Sequence, residues 1–517
     1  MEFIVNVHDL QLEARDLAEQ RAEGFKPRKD LQPWPLELPL DWAADPFHDR
    51  NWRFHLSALR MLDPMIREYE HTGDPTYLRE AMPFIVDWHR YHLLQRMRHR
   101  YSWYDMSVGQ RAAKLAFMIE RMNRGVFSVS DEEKSKVLEI ADAHFVELMK
   151  TEAIARNNHG IFQALGLKLL ADVVGERPEA TEFALTQFRQ IMDEQFTTEG
   201  VHTENSPDYH FYTQNMLLRS KVSRHLGDPF NGQADLVKSI NPWLVFPTGE
   251  VARVGDSAAH SNPLATEVDC TMDCAGKTYA VKDLTKSGYA VIRSMPSGPQ
   301  PSMLFVTGMA HTEAHKHSDE LSFELFEEGR FVFVDTGKYG YKGGPMREHV
   351  ISADAHNTVC LRDRRLFPDT IELSGSLLQP IEVIGDAFAI AGSLNRPGLF
   401  EQRRTFLYAP GSFLKIVDDL VAQEEREFVS SLHLAPDIVS YHRKDGFDAV
   451  VGDSLMSVDL IAKNFELEIK RGQQEPLLGW HCRGYLDMVP TTVVRAIVKG
   501  TAARVEWRVS FRSRFAG

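Results

Sequence analysis

Residues 315–335 read HKHSDELSFELFEEGRFVFVD. Apolar and polar residues alternate through Leu321, Phe323 and Leu325, then comes Glu327-Glu328-Gly329-Arg330, then a second apolar run from Phe331 to Val334. Two runs of β periodicity around a glycine turn predict a β-hairpin. A hairpin returns the end of its second strand to the start of its first, so His317 and Asp335 are expected side by side. His356, in the segment HNTVCL, can enter from the following strand. Two imidazoles and a carboxylate suit zinc or a similar borderline divalent metal. That assignment leaves His315 free to face something else.

Outward from the hairpin, the chain shows two periodicities. Before about residue 245 the pattern is helical. Leu56, Leu59, Leu62, Ile66 and Tyr69 recur at helical spacing, and Thr72-Gly73-Asp74-Pro75 breaks the run before a second helix over 77–92. Ser130-Asp131-Glu132-Glu133 has the spacing of a capping box. Helices are also expected over 161–174 and 181–196. Helix, short turn, helix, repeated, describes stacked αα-hairpins, in an open solenoid or a closed toroid. After residue 245 short strands are expected at 289–293, 303–307, 321–335, 406–408, 414–418 and 491–498, the pattern of an antiparallel sandwich. The stretch 246–262, with Arg253-Val254-Gly255-Asp256-Ser257, is the expected crossing.

The chain has 517 residues, more than one core usually holds. It is 43% hydrophobic and 26% charged, ordinary for a globular protein. A net charge of −14 gives no overall attraction to nucleic acid or to an acidic membrane, and a polyanion would need a local basic groove. The first twenty residues, MEFIVNVHDLQLEARDLAEQ, lack a basic segment followed by an apolar one, and no window reads as a membrane span. A cytoplasmic location is therefore expected, or a periplasmic one if a leader was removed. Cys270, Cys274, Cys360 and Cys482 have no zinc-knuckle spacing and are expected as free thiols.

Two further polar clusters fall at helix ends: Asn157-Asn158-His159-Gly160, and Glu199 to His210, EGVHTENSPDYH. Taken alone, the first also fits a simple helix cap. A basic run, Arg96, Arg98, His99 and Arg100, precedes Trp103-Tyr104-Asp105, with Arg111 one turn or two further on.

Together these segments resemble the heparinase II/III-like polysaccharide lyases. The similarity rests on NNHG at 157–160, EGVHTENSPDYH at 199–210, HKHSDELSFELFEEGRFVFVDTGKYGY at 315–341 and HNTV at 356–359, with Trp103-Tyr104-Asp105 and Arg111 in support. The resemblance implies an α+β multidomain protein, with an incomplete (α/α) toroid, residues 1–245, followed by an antiparallel β-sandwich, residues 246–517. It implies β-elimination on a polymer or oligomer containing uronic acid, of glycosaminoglycan or alginate type. Asn158 would neutralise the uronate carboxylate, and His159 would help neutralise it or act as base for the epimer that presents its proton on the other face. Tyr209 would be the acid and in some relatives also the base, with Tyr212 as the alternative, and His315 a second base or carboxylate ligand. Asn157, Glu204, Arg111 and Tyr341 would contact substrate. His317, Asp335 and His356 would hold a structural divalent metal, zinc by donor type. A non-catalytic carbohydrate-binding protein on the same fold, or a zinc-dependent hydrolase, are the competing expectations. Neither a nucleic acid nor a membrane is an expected partner, and the sequence leaves oligomeric state open.

Overall fold

The computed structural model describes residues 17–28, 30–175, 177–219, 222–228, 230, 232–262, 270–295, 301–341 and 343–513. Residues 1–16, read above for a leader, lie outside them. Two compact units are present. The first comprises Met1–Gln195 and Thr213–Gly232, the second Phe196–Tyr212 and Gln233–Gly517. The second unit therefore includes 196–212 and 233–245, which precede the expected crossing at 245/246.

The first unit is helical. Ser130 caps the helix Asp131–Leu148, its hydroxyl accepting a hydrogen bond from the Glu133 amide while the Glu133 carboxylate accepts one from the Ser130 amide. The helix expected through Leu56 to Tyr69 is broken: Arg50–Ser57 ends, Leu59 takes a left-handed conformation at φ 55°, a 3-10 turn follows, and Asp63–Thr72 restarts with Pro64 in its first turn. Helical apolar spacing persists across the break, which is why periodicity alone missed it. The helices Asp105–Asn123 and Asn158–Val174 cross at unusually close range. A side chain at Gly109 would collide with the Phe162 carbonyl, and one at Gly166 with the Gly109 carbonyl. Glycine at both positions lets the two backbones touch.

Among its described residues the second unit carries two large antiparallel sheets and two two-stranded ones. One large sheet orders its strands Thr271–Cys274, Lys277–Leu284, Tyr289–Arg293, Met303–Thr307, Phe323–Glu327 and Arg330–Phe333. The last two are the expected hairpin, with Glu327 opposite Arg330 and a turn through Glu328 (φ 54°) and Gly329 (φ 77°). Two consecutive positive φ values match the twist of the flanking strands. The other sheet is built on two long strands, Phe413–His433 and Thr492–Ser513. Their pairing slips between Val421 and Arg426. On one side of this break they pair with Phe400–Ala409 and Ser454–Ala462, on the other with Val359–Leu361 and Phe465–Arg471. The bulge bends each strand so that it serves two sets of neighbours.

The inner strands of the first sheet, Tyr289–Arg293, Met303–Thr307 and Phe323–Glu327, are buried on both faces. Ala290, Ile292, Leu304, Val306, Phe323 and Leu325 join Phe406, Ile416 and Trp507 of the second sheet in one core. Tyr289, Val291, Met303 and Phe305 point the other way, into a core with Val201, Phe211, Trp243, Leu244 and Phe246. The segments 196–212 and 233–254 thus cover one face of a sheet, and this makes them part of the β unit. Cys270, Cys274, Cys360 and Cys482 are free thiols. Among the described residues no helix is long and apolar enough to cross a membrane.

One carboxyl in this sandwich sets a pH dependence. Glu327 is buried, and burial pushes its carboxyl up to about 7 although the Tyr408 hydroxyl and the Gly411 amide both donate to it. An unfolded glutamate titrates near ~4.3. Between those values the folded chain holds a proton that the unfolded chain has released. Its contribution to stability is therefore complete at low pH and is lost as pH rises through about 7. Glu327→Gln should flatten the fall in Tm between about pH 4 and pH 7, with a gain on the order of 3 kcal/mol that is fully developed above that window. Parallel slopes for wild type and variant would rule this out.

Candidate active site

In the β unit the candidate residues gather around a carboxylate, Asp256, that the sequence reading passed over. Gly255 explains its position. Its φ is +57°, and a Cβ there would strike the Asn205 carbonyl and come within 3.0 Å of the His315 carbonyl. Three backbone segments therefore meet at Gly255, and only glycine fits. Asn205 ties them further, donating from Nδ2 to the carbonyls of Thr312 (2.8 Å) and Ala314 (2.9 Å). The Asp256 amide donates to the His315 carbonyl. His315 itself has φ 55°, a conformation disfavoured for a side-chain-bearing residue and one that this lattice of hydrogen bonds holds in place.

Asp256 is buried, and its two oxygens are fully used. Arg347 grips both with its guanidinium, at 2.5 and 3.0 Å. His317 Nε2 lies 3.0 Å from Oδ1 and His315 Nδ1 3.2 Å from Oδ2. Burial alone would raise this carboxyl, but hydrogen bonds from His315, His317 and Arg347 hold it far below the ordinary carboxylate range. With Nδ1 of His315 turned to Asp256, a neutral imidazole would carry its lone pair on Nε2. Nε2 is 3.6 Å from the Glu204 carboxylate.

Tyr209 sits in the first turn of the helix Pro207–Arg219, whose start is fixed by Ser206 Oγ accepting from the Tyr209 amide and by Ser257 Oγ accepting from the Asp208 amide. Its ring stacks on the His315 imidazole, with centroids 3.4 Å apart and planes within 16°. Its hydroxyl shares a 2.5 Å hydrogen bond with the hydroxyl of Tyr341, which also lies 3.3 Å from His315 Nδ1. Burial pushes the Tyr209 phenol above its ordinary value, against the effect of the Tyr341 hydrogen bond. Tyr209 therefore keeps its proton at neutral pH. Tyr212 meets Tyr209 edge-on at 5.8 Å, and it is Tyr209 that stacks on His315.

The expected metal residues are neighbours. His356 Nδ1 is 2.7 Å from Asp335 Oδ2, and the His317 and His356 rings lie 5.4 Å apart. His317 Nδ1 and His356 Nε2 are buried without hydrogen-bond partners. Orphaned imidazole nitrogens beside a carboxylate suit a borderline metal by donor chemistry. Yet among the described residues no three such side chains are gathered as a cage, because Asp335 is turned onto His356 and His317 onto Asp256.

In the helical unit the Asn157 carboxamide accepts from the His159 amide and caps the helix Asn158–Val174, so the cap reading holds for Asn157. Asn158 is buried in the first turn. His159 Nδ1 is 2.7 Å from Asp105 Oδ2, a contact made possible by the close crossing of the two glycine-bearing helices. Arg111 does not face a groove as expected. It is completely buried, donates to His144, Ser57 and Ser102, and lies over the Trp88 and Trp103 rings. It locks helices together and is corrected from a substrate ligand to a core residue.

Asp256, Arg347, Lys338 and Asp105 were not singled out from sequence. Asp105 carried a signal, since Trp103-Tyr104-Asp105 had been noticed. The others are single charged residues whose partners come from distant segments.

Residues 5–227 match the family described as heparinase II/III N-terminus, and residues 276–508 match heparinase II/III-like, C-terminal. A heparin-sulfate lyase of Bacteroides stercoris is 21% identical over 441 residues, covering 75% of this chain and 64% of that protein. A heparin-sulfate lyase of Pedobacter heparinus is 21% identical over 391 residues, covering 68% of this chain and 58% of that protein. The chain thus spans under two thirds of the length of either curated relative. A solved heparinase III structure superposes with TM-score 0.71 at 16% identity, covering 100% of this chain and 86% of that one. The heparan sulfate lyase HepC from Pedobacter heparinus gives TM-score 0.66 at 15% identity, covering 100% and 85%. These two likenesses establish a common fold, α/α toroid and β-sandwich.

Proposed function

Because this chain belongs to the heparinase II/III-like family, we propose that it is a polysaccharide lyase that cleaves a uronate-containing glycosaminoglycan by β-elimination. The observation that carries this reading is the group formed by Tyr209, Tyr341 and His315 on Asp256: a protonated phenol stacked on an imidazole whose tautomer a buried carboxylate fixes. The relatives named as heparin-sulfate lyases support the glycosaminoglycan class.

The reaction needs three things. The C5 hydrogen is weakly acidic beside a carboxylate anion, so that charge must be met by donors as the enolate develops. Asn158 and His159 take this part, with Asp105 orienting the His159 ring. A base must remove the C5 proton. His315 Nε2 is proposed for it, in the manner of a carboxylate–histidine dyad, with Glu204 close enough to stabilise the imidazolium that forms. An acid must protonate the departing O4. Tyr209 donates its hydroxyl proton there as the C4–O4 bond breaks, and the new C4–C5 double bond takes the electron pair from C5. Tyr341 stabilises the resulting phenolate through the shared hydrogen bond.

The overall negative charge favours a lightly sulfated or unsulfated polymer over heparin. A panel of heparosan, heparan sulfate, heparin, hyaluronan and alginate, followed by ultraviolet absorbance and mass spectrometry, tests the proposal. An absorbing product with an unsaturated uronate at its new end is the expected result. Binding without absorbance change would mean a carbohydrate-binding protein, and chelator-sensitive cleavage without unsaturated ends a hydrolase.

His317, Asp335 and His356 are proposed to hold a divalent metal, zinc by donor type, that ties the loops after the hairpin together. Bound there, it would supply structural rigidity. Purified protein should contain about one zinc per chain, and removing it should lower the Tm by several degrees. A metal-free preparation with an unchanged Tm on adding zinc would exclude this site.

A further inference from the structure

We infer that Lys338 binds an anionic group of the sugar, beside the acid Tyr209. The inference rests on the lyase reading above and names a substrate contact within it. Lys338 lies in the loop after the hairpin, where its amide donates to the Ser257 carbonyl. That bond anchors the residue to the same short segment that carries Asp256.

The side chain is half-buried, and its ammonium lies 4.4 Å from the centre of the Tyr341 ring and 5.5 Å from that of Tyr209. Among the described residues no carboxylate pairs with it and no hydrogen bond uses its three N–H donors. Aromatic faces attract a cation without neutralising it. Burial lowers the ammonium's proton affinity, and the more distant Asp256 and Asp208 only partly restore it. A buried lysine that served packing alone would be matched by an acid. The structure shows one such case in the same unit, Lys316, held between Asp319 and Glu320.

The nearby acids are engaged by other partners. Asp256 is already gripped by Arg347, His315 and His317. Asp208 accepts from the Ala258 amide and lies 3.5 Å from His260. Lys338 and Arg347 flank the Tyr341 ring, at 4.4 and 5.6 Å; Arg347 is balanced by Asp256, so Lys338 is the cation there with no ion-pair partner among the described residues. A sugar carboxylate and a sulfate half-ester both present anionic oxygens that suit an ammonium with free donors. Their shared chemistry defines this subsite.

The test compares wild type, Lys338→Met and Lys338→Arg on an unsulfated uronan and on sulfated heparan oligosaccharides. Lys338→Met keeps the apolar stem over the tyrosine rings and removes only the charge. Its KM should rise about 10-fold, with a smaller change in kcat. It should also lose part of the salt dependence of KM, and Lys338→Arg should restore both. A rise on both substrates identifies the carboxylate as the ligand, and a rise on the sulfated one alone identifies sulfate. Unchanged KM and salt dependence on both, in an enzyme whose wild type makes unsaturated product, would overturn the inference. If the wild type makes no such product, the lyase reading fails. Equilibrium binding of the same oligosaccharides to wild type and Lys338→Met then decides on Lys338 separately: equal affinity overturns it, and weaker binding by the variant upholds it.

Discussion

Tyr209→Phe should lower the rate of β-elimination by roughly 10³-fold while leaving the fold intact. The substitution removes one oxygen. The ring that stacks on His315 at 3.4 Å remains, and the helix start held by Ser206 and Ser257 uses only main-chain amides. What disappears is the proton for O4 and the hydrogen bond to Tyr341. The loss should fall on kcat, because the hydroxyl acts on a bond that breaks only in the transition state. Ultraviolet absorbance on the best polymer of the panel measures it, with a Tm as control. Tyr212→Phe should retain most activity. Were Tyr209→Phe fully active and Tyr212→Phe inactive, the acid would have been assigned to the wrong ring.

Asp256→Ala should be the most damaging single change in the β unit. It strands a guanidinium and two imidazoles that now share one carboxylate. Breaking a buried, hydrogen-bonded charge cluster by deleting one partner costs about 3–5 kcal/mol. Activity should vanish with the lowered Tm. Asp256→Asn separates the two effects. It keeps the shape and more of the stability, but it no longer fixes the His315 tautomer or balances an imidazolium, so a loss of about 10³-fold or more is expected even where the protein remains folded. Denaturant melts and initial rates on both variants check this. An Asp256→Asn enzyme of near wild-type activity would remove His315 from the role of base.

Legibility in the sequence followed how local each signal was. The hairpin at 323–333 was readable because alternation and a Glu-Glu-Gly turn lie within a dozen residues, and the capping box at Ser130 because it spans four. The long strands were not. The expected strand stops at residue 418, yet Phe413–His433 continues through Ala422 to Glu425, a bulge where exposure rather than chain reversal explains the polar residues. Arg111 resembled a groove residue because it follows a basic and aromatic stretch. The two tryptophans, Trp88 and Trp103, enclose it instead, and no local pattern distinguishes a cation facing solvent from one sealed between indoles. Asp256 illustrates the same limit at the site. Its partners come from 59 to 91 residues further along, so nothing around Gly255-Asp256-Ser257 announced its role beyond a glycine next to an acid.

The placement of the strand Thr492–Ser513 has a consequence for how the protein is made. It lies in the middle of its sheet, paired with Phe413–His433 on one side and Ser454–Ala462 and Phe465–Arg471 on the other, and every one of these is synthesised before it. While the ribosome is still translating that stretch, the nascent sandwich has flanks and no spine. Its apolar faces and open edges must then be shielded from neighbouring chains until the last piece arrives, so yield on expression should depend on chaperone supply and on growth temperature more than on the stability of the finished molecule.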